Sequence, residues 1–190
     1  MEDKVVKYPK YFIEILNETK KTGFNQLSDE KVGALLRTLV ATKKNANILE
    51  LGTGTGLSTV WLLDGMDEKS KLLTVDNDEN LVNIATKYID DKRVEFFVEN
   101  GKELILKLEA NSIDFIFADT WPGKYNHLEE TLDLLKSGGM YIIDDMLPQE
   151  NWPEGHEEKV KNLIEYLDNR DDFHCVKMNY STGIVICTKI

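Results

Sequence analysis

Apolar positions along the chain switch repeatedly between a helical repeat and short runs that are apolar almost throughout. Tyr11, Phe12, Ile15 and Leu16 recur at helical spacing within Tyr8 to Lys21, and Gly23 in "TGF" marks a stop. Val32, Leu35, Leu36, Leu39 and Val40 outline a second amphipathic helix, with Ser28 as its expected cap. From "NILEL" onward the pattern alternates. A helix over Leu57 to Leu63 follows that first strand, and "KLLTVD" precedes a helix from Glu79 to Tyr88. "RVEFFV" precedes a helix around Leu104 to Leu108; "IDFIFAD" precedes a helix over His127 to Lys136, ending at Gly138 and Gly139. "MYIIDD" is a fifth strand, and "HEEKVKNLIEYLDN" is helical, with Val160, Leu163, Ile164 and Leu167 on one face. Strands that alternate with helices and are apolar on both faces predict an α/β architecture, a parallel sheet covered on both sides. The end differs: "FHCVKMNY" and "GIVICTKI" are separated only by Ser181 and Thr182, too little for a crossover, so an antiparallel hairpin is expected.

The 190 residues suit one domain, and 42% apolar with 30% charged residues is an ordinary globular balance. No apolar stretch is long enough to span a bilayer and the N-terminus lacks a secretory layout, so a cytoplasmic address is expected. A net charge of −11 opposes a phosphate-binding surface, which disfavours bulk nucleic acid as a partner. Cys175 and Cys187 sit in apolar runs and read as small buried thiols.

"ILELGTGTGLST" places three glycines directly after the first strand. The dinucleotide fingerprint requires its third glycine one residue later than Gly56, and no Lys-Ser/Thr pair completes a phosphate loop. Glu50 precedes the glycines. An acid there repels pyrophosphate but accepts hydrogen bonds from an ammonium group. Asp76 ends the second strand, where an acidic side chain takes ribose hydroxyls in a doubly wound sheet. These features describe a nucleoside joined to an amino acid. A ligand-free turn with a solvated Asp76 is the competing reading, disfavoured because glycine-rich turns after strands serve close backbone approach.

The pattern from Ser28 onward resembles the S-adenosylmethionine-dependent methyltransferases of Rossmann-like fold, whose seven-stranded sheet ends in the same hairpin. The resemblance implies S-adenosyl-L-methionine as cofactor, held by Glu50, Gly52, Thr53, Gly54, Ser58, Asp76 and Asn77, with Asn100 and Gly101 beside the adenine. Asp119 ends the fourth strand, and Asp144 and Asp145 end the fifth, so the three carboxylates are expected on one rim of the crevice. Three close carboxylates call for a cation, and oxygen-only ligation favours Mg2+, Mn2+ or Ca2+. Helix capping and solvation at strand ends is the alternative for these acids. "FADTWPGKY" with "YIIDDM" resembles the catechol O-methyltransferase group and bacterial O-methyltransferases. There, residues at the positions of Asp119, Asp144 and Asp145 bind a divalent metal that chelates a vicinal diol, and an aromatic at the position of Trp121 borders the cofactor. The chain departs from that group twice. Asp145 replaces an Asn, and the catalytic lysine falls on Pro122, leaving Lys124 as the candidate general base and His156 as a second.

The expectation is therefore one methyltransferase domain over residues 1–190. Residues 1–45 are expected to supply helices near the acceptor, with Trp121, Trp152 and Met146 as a candidate apolar wall and "LPQENWPEGH" opposite. The expected reaction is O-methylation of a small catechol-like or phenolic molecule, assisted by a divalent metal and carried out by Asp119, Lys124 and His156. Homodimers are common in the group. Methylation of RNA or protein is the first alternative, although no Asn/Asp-Pro-Pro-aromatic motif follows the fourth strand. A cofactor-binding protein without catalysis is the second.

Overall fold

Fourteen elements follow one another in the computed structural model, which describes residues 5, 7–149 and 152–190. Two helices lead, α1 (Phe12–Thr22) and α2 (Glu30–Val40). Then come β1 (Asn47–Leu51), α3 (Leu57–Gly65), β2 (Lys71–Asp76), α4 (Glu79–Tyr88), β3 (Val94–Val98) and α5 (Gly101–Lys107). The remainder is β4 (Ile113–Ala118), α6 (Leu128–Asp133), β5 (Leu135–Ile143), α7 (His156–Asp168), β6 (Phe173–Met178) and β7 (Ile184–Lys189). The strands form one sheet in the order β3-β2-β1-β4-β5-β7-β6. β1 to β5 pair in parallel, whereas β7 runs antiparallel to both β5 and β6, as the missing crossover required.

Strand periodicity divides the core into two layers. Ile48, Leu72, Phe115, Phe117 and Ile142 face α1, α2, α3 and α4, while Leu49, Leu51, Ile116, Ala118, Tyr141 and Ile143 face α5, α6 and α7. Every residue of α3 from Leu57 to Leu63 is buried, which explains its lack of an amphipathic stripe. It lies under α2, where a Cβ on Gly33 would stand 2.2 Å from the Trp61 ring.

Four expectations are corrected in detail. The first helix starts at Phe12 rather than Tyr8, because Tyr11 takes a left-handed conformation at its N-cap; Gly23 does end it, with φ 78°. Asp29, not Ser28, caps α2, its side chain accepting from the Lys31 N–H. The sixth helix stops at Asp133, and β5 begins already at Leu135. Leu135 is fully buried against Ile113, and a register irregularity before the Phe115–Met140 pair absorbs the residues around Gly138. Finally, Cys175 and Cys187 face each other across β6 and β7 and are joined in a disulfide, not left as separate thiols.

Candidate active site

The three glycines of the β1–α3 turn serve different purposes. All have positive φ, 107° at Gly52, 52° at Gly54 and 91° at Gly56, a region in which side chains are strained. At Gly56 the constraint is packing: a Cβ would stand 2.8 Å from the Ala85 Cβ. At Gly54 it would meet nothing nearer than the Phe24 ring at 3.8 Å, so the backbone there opens onto space. The turn is tied to β2, since Gly52 and Thr53 donate to the Val75 carbonyl and the Gly54 N–H donates to Asp76 Oδ2 at 2.8 Å.

Glu50 is not where charge complementarity with an ammonium requires a contact. It is fully buried beneath the turn, outside the cavity wall. Its Oε2 accepts from the Thr59 and Thr74 hydroxyls, both at 2.6 Å, and its Oε1 has no partner. Burial pushes this carboxyl up to about 7 against the hydroxyl donors that hold it down. The acid therefore props the turn from below and leaves one buried acceptor atom unmatched.

A cavity of about 590 Å³ opens above the turn. Gly52, Thr53, Gly54, Ser58, Asp76 and Asn77 line one end; Asp119, Trp121, Asp144 and Asp145 line the other. A side cavity of about 250 Å³ is lined by Asn100 and Gly101 and shares Gly52, Asp76, Asn77 and Trp121 with the first. The sheet explains the convergence. Ala118 and Ile143 are register partners at the ends of β4 and β5, so Asp119 and Asp144 leave the sheet side by side. Asp145 takes φ 56°, a conformation that Asp and Asn tolerate best, which gives a backbone reason for an Asn-type residue here.

The acids raise one another's proton affinity. Asp119 is held well above the usual carboxylate range, first by burial and then by the Asp144 and Asp145 charges. Asp144 is pushed up to about 6 for the same two reasons. Lys124 works in the opposite sense: the residue is 4% exposed, and its ammonium donates to the Asp144 carbonyl and lowers all three carboxyls through space. Burial in turn lowers Lys124 itself. It is buried and is not among the residues that line the cavity, where its expected role as general base would place it.

A family model for O-methyltransferases matches residues 2–190. The chain belongs to the O-methyltransferase family. A Mycobacterium ulcerans protein bearing the O-methyltransferase name is 30% identical over 118 residues, a match covering 59% of this chain. The matched region spans only about half, 53%, of that relative's length. Among solved structures, the O-methyltransferase TomG of Streptomyces achromogenes, in complex with SAM, superposes with a TM-score of 0.85 at 19% identity, covering 97% of this chain and 92% of TomG. An O-methyltransferase of Bacillus cereus in complex with SAH gives 0.85 at 20% identity, covering 99% and 94%.

In this member of the family the three acids expected as a metal set, Asp119, Asp144 and Asp145, share a rim but do not form a recognisable metal-holding group. Among the described residues no three His, Cys, Asp or Glu side chains are grouped to hold a metal ion. Asp144 Oδ1 accepts from the Thr182 hydroxyl and the Asp145 N–H, and Asp119 Oδ2 accepts from the Ser28 hydroxyl at 3.0 Å. Ser28 and Thr182, both lining the cavity, are site residues that sequence reasoning missed. Ser28 had been assigned to a helix cap, and Thr182 to a hairpin turn with no sign that it folds back onto β5. Its neighbour Gly183 is wedged so tightly that a Cβ would stand 2.4 Å from the Leu147 nitrogen.

His156, expected in a loop, is the first residue of α7 and is buried. It does not line the cavity: its Nε2 lies 3.1 Å from the Tyr125 hydroxyl, its ring packs 4.6 Å from Trp152, and its Nδ1 has no partner. Burial first and then the Lys124 charge lower its pKa, against the Asp145 charge that raises it. Met146 is core and Trp152 packs on His156, so of the expected apolar wall only Trp121 reaches the cavity. Gln149 from the following loop also lines it, while Glu150 and Asn151 lie outside the described residues.

Proposed function

We propose that this protein transfers the methyl group of S-adenosyl-L-methionine to a hydroxyl of a small phenolic or catechol-like molecule. What carries the reading is one continuous cavity joining the glycine turn and Asp76 to Asp119 and its neighbouring acids. The residues fit the cofactor: an open backbone at Gly54, a strand-end carboxylate at Asp76 and Asn77 beside it suit a ribose, and Asn100 and Gly101 line the adjoining space. The acidic rim favours a cationic tail over phosphate. When bound, the cofactor supplies an electrophilic methyl on a sulfonium.

The chain's own contribution is positioning and proton removal. Trp121, 43% exposed at the cavity mouth, offers an aromatic face to a flat acceptor. Asp119 takes the acceptor's hydroxyl proton, leaving on oxygen the electron pair that would displace the cofactor's neutral thioether from the methyl carbon. In its ionised form its raised proton affinity makes it a stronger base than an ordinary carboxylate, and the Ser28 hydroxyl bonds its Oδ2. The test is transfer of labelled methyl to a panel of catechols, phenolic acids and small RNAs. Labelled phenols are expected. Labelled RNA, or tight S-adenosylmethionine binding with no transfer to anything, would overturn the reading.

A further inference from the structure

We propose that the Lys124 ammonium is the resident cation of the acid rim, standing in the role that a divalent metal plays in the catechol O-methyltransferase group, so that this chain works without one. The activity half of this inference rests on the methyl-transfer reading above; the metal-binding half does not.

The placement of Lys124 follows from the turn after β4. Lys124, Tyr125 and Asn126 all donate their N–H groups to the Trp121 carbonyl, curling the chain through Pro122 and Gly123. Gly123 has φ 83° and sits so close to β1 that a Cβ would stand 2.2 Å from Leu51 Cδ1. The buried Tyr141 hydroxyl donates to its carbonyl at 2.5 Å. A turn pinned on both sides leaves Lys124 one direction, inward, where its ammonium bonds the backbone of Asp144. The two-residue displacement of the lysine from its place in the catechol group thus moves a cation behind the carboxylates.

A metal site needs several oxygen lone pairs aimed at one point. Here one oxygen each of two acids is already committed, Asp144 Oδ1 to the Thr182 hydroxyl and the Asp145 N–H, and Asp119 Oδ2 to the Ser28 hydroxyl. Three carboxylates on a buried rim still need compensation, and a fixed ammonium provides it without demanding a coordination shell. A substrate consequence follows. Without a metal to chelate, a second hydroxyl is not required, so phenols with one hydroxyl are acceptors on the same footing as vicinal diols.

The test titrates Mn2+ into the wild-type protein, with and without S-adenosylhomocysteine, and follows free Mn2+ by electron paramagnetic resonance. Wild type is expected to bind no stoichiometric Mn2+ below about 1 mM, the weak end of protein affinities for hard cations. One Mn2+ per chain at micromolar levels would overturn the proposal. Lys124→Met, which leaves the acids uncompensated, is expected to bind Mn2+ at least about tenfold more tightly than wild type, while Lys124→Arg keeps the charge and stays metal-blind. A folded Lys124→Met protein that is equally blind would overturn the compensating role; should that variant fail to fold, the wild-type titration still decides. Methyl transfer, where detected, is expected to survive EDTA and to reach single-hydroxyl phenols. Loss of transfer on chelation, or strict dependence on a diol, counts against the proposal. A protein that binds no Mn2+ and methylates nothing in the panel defeats the function proposed above, not this one.

Discussion

The two ends of the cavity, one proposed above for the nucleoside and the other for the acceptor, are built by opposite means. At the nucleoside end the work is done by backbone: three left-handed glycines, N–H groups tied to Val75 and Asp76, and one acid tucked beneath. At the acceptor end it is done by side chains, with Asp119, Lys124, Asp144 and Asp145 close enough to shift one another's proton affinities. A backbone cradle is set by left-handed glycines, and its pH dependence comes from the buried acid beneath it. A charged cluster tolerates shape changes but every member depends on every other. Binding and chemistry should therefore come apart under mutation.

The largest effect that separates them is expected from Asp119→Asn. The variant keeps the shape and an acceptor for the Ser28 hydroxyl but loses the base, so methyl transfer should fall about 100- to 1,000-fold, the usual share of a positioned general base. Cofactor affinity, measured by calorimetry, should change less than about tenfold, since the glycine end is untouched. The apoprotein should unfold at the same temperature or higher, because a carboxylate that resists ionisation has been removed. Equal losses in affinity and turnover would mean that the two ends are one unit.

The same contrast decides what was legible in the sequence. The nucleoside end is encoded in twelve consecutive residues plus a strand-end acid, and the sheet order follows from alternation and from the short link before Gly183. The acceptor end depends on how a turn curls. Nothing in "DTWPGKY" states that Tyr141 and Leu51 pin Gly123 and send Lys124 inward, because those partners are 18 and 72 positions away in the chain, read as the differences 141 − 123 and 123 − 51. Thr182 and Ser28 were illegible for the same reason: each reaches its aspartate from an element distant in sequence. Glu50 was legible as a residue, but its burial beneath the turn was not. Whether a strand-end side chain points up into the crevice or down under the turn is set by packing against Thr59 and Thr74, not by its position in the motif.

A smaller effect, confined to the nucleoside end, tests that correction through pH. Burial raises Glu50 from 4.5 to about 7, so between those values the folded protein keeps a proton that the unfolded chain has released. Stability consequently falls as pH rises through that window, by about 3 kcal/mol in total from this group. Glu50→Gln removes the ionisation and keeps an acceptor for the two threonines. Its denaturation midpoint should exceed that of wild type at pH 8, with the advantage shrinking to nothing near pH 4.5. Cofactor affinity below about pH 7, where the buried carboxyl already keeps its proton, should change little. A wild-type midpoint that is flat between pH 4.5 and 8 would show that Glu50 is ionised throughout and that the turn sits on a permanent charge.

The smallest effect concerns the one aromatic that both ends share. Trp121 lines both cavities, is 43% exposed, and is held from behind by Tyr125, whose ring centre is 6.0 Å away, and by the Lys159 ammonium 4.6 Å above its ring. A side chain this exposed adds little to stability, so Trp121→Ala should shift the unfolding free energy by less than about 1 kcal/mol. An aromatic acceptor that rests on the ring would lose contact area, and its KM should rise about three- to tenfold with kcat nearly unchanged. Non-aromatic acceptors should be indifferent to the change. If the cofactor's affinity falls instead, Trp121 belongs to the nucleoside end, and the division between a backbone cradle and a side-chain cluster lies one residue further along the turn than Asp119.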